Sequence, residues 1–143
     1  MTLHEHYRTS VTNALAGFQL IEEGLKDYLD LYYQSVRHLL SNRLHFDYHR
    51  SDINKAALGR LVSIFAKTST NASLTTRLRS LVDQRDSAAH TALVCLYDSS
   101  TTDAEYHIMI KANHALSDEL REVLVALLSE VSSMRAVTFG ARP

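Results

Sequence analysis

Arg85, Asp86 and His90 fall within one six-residue run, RDSAAH, and form the group in this chain best suited to chemistry. An arginine presents a planar fork of donors that matches a phosphate. A histidine exchanges a proton near neutral pH, which suits a general acid or base. An acid four residues before the histidine lies one helical turn away, where it can fix the imidazole tautomer and stabilise the imidazolium. Together these residue types suit acid–base chemistry beside a phosphate. The same three residues also have a structural reading. Arg85 would then bridge to an acid on another helix, and His90 would pair with Asp86 at the surface.

The element that must position them is a helix spanning Leu81–Leu93 and its flanks. At about 100° per residue, Leu74, Leu78, Leu81, Ala88, Ala89, Ala92 and Leu96 fall within roughly 60° of Arg85. The apolar stripe therefore runs through a guanidinium, whose burial is costly without a partner. Glu22, beside the stripe of the first helix, is the expected partner. Arg85 and His90 point about 140° apart on a straight helix, so one copy does not easily bring both to one phosphate. Two copies packed together remove that difficulty.

The rest of the chain supplies further helices. Phe18, Ile21, Leu25, Tyr28, Tyr32, Val36 and Leu39 step by three and four and predict a first helix from about Ser10 to Leu40. Ser41–Asp52 reads as a polar and aromatic loop, with Ser51 or Asp52 capping a second helix through Ile53, Ala57, Leu61, Ile64 and Phe65. The turn TSTNAS offers Asn71 or Ser73 as cap for the third helix, which carries Arg85 and His90. Leu93–Tyr97 and Tyr106–Lys111 flank a polar turn and suggest a short β-hairpin, the alternative being continued helix. Ser117, followed by Asp118 and Glu119, marks the start of a last helix through Leu120, Val123, Leu124, Leu127, Val131 and Met134. The expected fold is mostly α: a single four-helix, up-and-down bundle over residues 1–143, with the hairpin between helices 3 and 4.

The first helix (FQLIEEGLKDYL) followed by a helix reading RDSAAH resembles the HEPN superfamily of small helical bundles. Its hallmark is an arginine, a polar residue, then a histidine after four to six intervening positions. Arg85, Asp86 and His90 match that motif. A second pair at such a spacing, Arg43 and His49, lies in a weakly patterned segment, outside any helix interior. The resemblance implies a metal-independent ribonuclease or RNA-binding effector of the toxin or defence type, built across a homodimer, with a cognate antitoxin as partner and no cofactor. One HEPN branch places a tyrosine two residues after the histidine; here that position is Ala92, which departs from that branch. The reading from another class is a non-catalytic regulatory or protein-interaction module with Arg85 in a structural ion pair.

Composition sets the remaining bounds. The chain has 45% hydrophobic and 22% charged residues, four glycines and one proline, which favours a globular, helical protein. The net charge of −1 hides a segregation: −3 over residues 1–34, +6 over 35–85 and −4 over 86–143. A basic middle fits an anion-binding face, or helices of opposite sign packed side by side. The single cysteine, Cys95, excludes an internal disulfide and points to a reducing, cytoplasmic setting. Neither a membrane-length apolar run, a Gly-rich phosphate loop nor a Gly-x-Ser-x-Gly elbow occurs. His45 and His49, with Asp47 and Asp52 nearby, have a metal-ligand spacing if helical and otherwise a solvated loop; no metal site is assigned. Leu20, Leu31, Tyr33 and Leu40 lie off the main stripe of the first helix, more apolar surface than one core face needs, and predict a dimer.

Overall fold

The computed structural model describes residues 1–41 and 43–140, with the side chain of Leu96 outside the described set. Five helices and no strand occur among the described residues: α1 (Leu3–Leu39), α2 (Ser51–Asn54), α3 (Leu58–Thr68), α4 (Ala72–Tyr97) and α5 (Asp103–Phe139). The bundle is mostly α, as expected, but the hairpin is absent. Leu93–Tyr97 completes α4 and Tyr106–Lys111 belongs to α5. The polar run between them is a tight connection in which Asp98 Oδ1 accepts from the Ser100 backbone N–H at 2.9 Å and from its hydroxyl at 2.6 Å. Thr102 then opens α5 with a capping box: its side chain accepts from the Glu105 N–H, and Glu105 reaches back to the Thr102 N–H. Ser117 therefore sits inside α5 and caps nothing. Thr2 and Glu5 repeat the same box and start α1 seven residues before Ser10.

The second helix also differs from expectation. Neither Ser51 nor Asp52 caps a long helix; Asp52 Oδ2 accepts the His49 N–H at 3.0 Å, inside a turn that ends in the four-residue α2. A break at Lys55–Ala57 separates α2 from α3. Asn71 is the cap expected for the helix bearing Arg85: its Oδ1 accepts from the Leu74 N–H at 3.0 Å.

The two 37-residue helices, α1 and α5, run side by side in the same direction. Ser10 faces Asn113, Gly17 faces Leu120, Gly24 faces Leu127 and Ser35 faces Thr138, always 103 residues apart. In place of the antiparallel first and last helices of the expected up-and-down order, a constant offset requires a parallel pair. The return segment 40–57 makes it possible by carrying the chain back along α1, so that α4 descends and α5 rises again beside α1. The seam repeats every seven residues, Ser10, Gly17 and Gly24 against Asn113, Leu120 and Leu127, as in a coiled coil. Asn113 Nδ2 donates to the buried Ser10 Oγ at 3.1 Å near one end. At the other, Ser35 and Thr138 hydroxyls meet at 2.7 Å. These polar pairs oppose sliding of one helix along the other, since a slip would strand them.

Gly17 and Gly24 are small because the helices touch there. A Cβ on Gly24 would lie 2.8 Å from Leu127 Cδ2, and Leu127 is fully buried. Alanine gains about 0.5–1 kcal/mol of helix propensity, but forcing the seam open costs about 1–3 kcal/mol. Gly24→Ala should therefore destabilise by about 1 kcal/mol, read as a lower urea midpoint at unchanged slope; a raised midpoint would show that Leu127 yields freely.

α3 and α4 form a hairpin laid over one face of this pair. Phe18, Ile21, Leu25 and Leu29 from α1, Leu58, Leu61 and Phe65 from α3, Leu74, Leu78 and Leu81 from α4 and Val123 and Leu127 from α5 make one core. Arg77 locks α4 to α5, with Nε and Nη2 on Glu119 at 3.0 and 2.9 Å and Nη2 also 2.9 Å from Glu122. Hydrogen bonding from Arg77 holds the Glu119 carboxyl below its ordinary range. Among the described residues, no helix is long and apolar enough to cross a membrane.

Candidate functional site

α4 changes character at Leu81. Before it, Leu74, Leu78 and Leu81 are buried against α3 and the long pair. After it, no described side chain of the helix is fully buried, and Ala88, Ala89 and Ala92 are half-covered. The Leu96 side chain, counted on the predicted stripe, lies outside the described residues. The stripe thus continues as a line of small residues bordering a hollow of about 290 Å³ between α1, α4 and α5, where Tyr7, Ala88, Thr91 and Met109 meet. Below it, Cys95 Sγ lies 3.6 Å from Met109 Sδ. Burial, and then the hydrogen bond to Cys95, push the Tyr7 phenol above its ordinary range.

Arg85 occupies the margin of this thinly packed half. Its side chain is 42% exposed, so the guanidinium is not buried, as a place on the apolar stripe would have required. Helix α4 beyond Leu81 lies over the border between α1 and α5, and the long arginine side chain reaches sideways to water. Its Nε sits 3.6 Å from Glu22 Oε1, the partner expected from sequence. Asp86, 74% exposed, places Oδ1 3.9 Å from Arg85 Nη1. Both distances are long for direct hydrogen bonds, so Arg85 is attracted but not clamped.

His90 is exposed. No hydrogen bond joins it to Asp86 among the described residues, so the expected acid–histidine pair is not formed in the single chain. The structure brings together Arg85, Glu22 and Asp86 and leaves His90 on the outer face. There Asp86, His90, Leu93 and Tyr97 follow one another at helical spacing, with Val94 beside them. Leu93 is 58% exposed, Val94 46% and Tyr97 88%. These three are the exposed large apolar side chains of α4 among the described residues.

The dimer surface expected on α1 is largely used within the chain. Leu31 is buried, and Tyr33 packs on Tyr48 at 4.7 Å between ring centroids and on Phe46 at 6.1 Å. Leu20 alone of the four stays well exposed.

A second polar centre, unremarked in the sequence, forms where the return segment crosses α1. Arg50 Nη2 lies 2.8 Å from Asp27 Oδ1, and its Nη1 3.4 Å from Asp30 Oδ2. Tyr48 donates to Asp30 Oδ1 at 3.2 Å. Burial and then the adjacent Asp30 charge push the Tyr48 phenol up, while hydrogen bonding to Asp27 raises Arg50. The sequence signal was available: Asp27 and Asp30 are acids three apart on one helix face, waiting for a cation. His45 and His49 are both exposed; His49 Nε2 lies 3.3 Å from Asp47 Oδ1. No group of three metal-ligating side chains forms among the described residues.

Arg50, Arg77 and Arg85, all from the basic middle, pair with acids of the two acidic ends. The charge segregation is in good part helices of opposite sign lying side by side. No protein-family model, curated protein or solved structure matches this chain, so its reading rests on the geometry of α4 and its neighbours.

Proposed function

We propose that the chain is a HEPN-like, metal-independent ribonuclease or RNA-binding effector that works as a homodimer through the outer face of α4. The observation that carries this reading is the run Asp86, His90, Leu93, Tyr97 on one bare helix face. A second copy covering Leu93, Val94 and Tyr97 about a twofold axis brings two His90 side chains to the same seam. Each Arg85 then stands at the margin, held so weakly by Glu22 that a phosphate can compete for it. In the reaction, His90 of one protomer accepts the 2′-hydroxyl proton as the oxygen attacks phosphorus. The bond to the 5′-oxygen breaks, and that oxygen takes its proton from the His90 across the axis. Arg85 balances the charge gathering on the phosphate oxygens.

The Glu22–Arg85 contact favours the other reading, a non-catalytic helical interaction module with Arg85 in a structural ion pair. Sedimentation and incubation with a mixed RNA pool in EDTA separate the two. The wild type should sediment as a dimer at tens of micromolar and cleave RNA. Leu93→Asp should give monomers and lose cleavage with His90 intact. A wild type that is monomeric and leaves the RNA whole excludes the ribonuclease and leaves the interaction module.

A further inference from the structure

At the end of the bundle opposite the Leu93–Tyr97 face, the last turns of α1 and the return segment enclose an open cavity of about 540 Å³. That is within the roughly 300–1,000 Å³ typical of small-molecule sites. Its polar groups divide into two sets. Asp30, the acid of the lining, is already engaged: Oδ2 accepts from Gln34 Nε2 at 3.1 Å and from Arg50 Nη1 at 3.4 Å, and Oδ1 accepts from Tyr48. The second set consists of donors. Arg37, His38 and Ser41 line the same cavity, and none of their side chains has a hydrogen-bond or carboxylate partner among the described residues. His49 closes the rim.

From this division we propose that the cavity binds a small phosphate monoester, a site separate from Arg85 and His90 and independent of the ribonuclease reading. The carboxylate inside it already accepts three hydrogen bonds, so a ligand that engages the unpartnered donors of Arg37, His38 and Ser41 must bring acceptors of its own. A guanidinium, imidazole nitrogens and a hydroxyl suit the three terminal oxygens and double charge of a phosphate monoester better than the two oxygens of a carboxylate. The Arg50 circuit fixes the far wall, so the donors face a preformed hollow. Arg37 and His38 also lie in the last turn of α1, where cations favour the carbonyl end of the helix. A role confined to that helix end needs no cavity and no phosphate.

The test follows thermal melting in glycerol phosphate, inorganic phosphate and chloride at matched ionic strength. Both phosphate probes should raise the melting temperature along a saturating curve. Inorganic phosphate responding alone would show that the cavity excludes an ester and would overturn the ligand class. Arg37→Gln should raise the half-saturating concentration by about tenfold or more, as expected for one lost charge-assisted contact. The exposed Arg79→Gln, outside both sites, should respond like wild type. If Arg37→Gln also responds like wild type, or melts lower in chloride yet keeps the phosphate shift, Arg37 serves the helix end alone and the proposal fails. Loss of the response in Arg85→Ala instead would place the anion on α4 and likewise overturn it.

Discussion

His90→Ala is expected to lower RNA cleavage by about two to four orders of magnitude, the usual worth of a positioned general acid or base, with the melting temperature nearly unchanged. The side chain is exposed and makes no hydrogen bond among the described residues, so its removal opens no cavity and strands no buried group. Arg85→Ala gives the companion result. Its contact with Glu22 is long and half-exposed, and pairs of that kind contribute about 0–1 kcal/mol. Had Arg85 been buried on the stripe, its loss would have cost about 3–5 kcal/mol by leaving Glu22 unpaired. A small stability change with loss of cleavage supports the proposed role. A large drop in melting temperature would return Arg85 to the structural reading, as would full cleavage by both variants.

The largest stability effect is expected at Phe65. It is fully buried on α3, with its ring 4.9 Å from that of Tyr28 in an edge-on arrangement. Alanine there removes the buried aromatic body and its edge-on packing against Tyr28, at about 3–5 kcal/mol. The loss should appear as a lower denaturant midpoint, and it should reach α4, because α3 is the support on which Leu78 and Leu81 rest. In Phe65→Ala the amides of α4 should exchange faster than those of the α1–α5 seam. Uniform loss of protection across all helices would show instead that the core melts as one unit.

The helices were legible where apolar spacing was continuous. Phe18 through Tyr28 and Leu74 through Leu81 gave the core faces of α1 and α4, and Asn71 announced its helix by its cap. The starts of α1 and α5 were legible too, in Thr2–Glu5 and Thr102–Glu105, but apolar periodicity outweighed those short polar signals. That is why Tyr106–Lys111 read as a strand: a five- or six-residue apolar run fits either period. The parallel pairing of α1 with α5 was not legible, because a local pattern tells which face is buried and not which way the partner runs. At the site, the Glu22–Arg85 pairing could be anticipated from charge and face. The exposure of Arg85 could not, since it depends on where α4 leaves the core. Tyr33 likewise read as spare surface until the return segment, patternless in sequence, came back to cover it.

The constant offset along the α1–α5 seam has a consequence for how the chain assembles. Each contact between the two longest helices closes a loop of about a hundred residues, which is unusual for an all-helical protein and makes the pairing entropically late. During synthesis, Gly17, Gly24 and their neighbours wait without a partner until the final third of the chain has emerged. The α3–α4 hairpin, made of local contacts, is available long before and can shelter one face of α1 in the interval. The other face stays bare until α5 arrives, and only then does the register acquire its two polar pins.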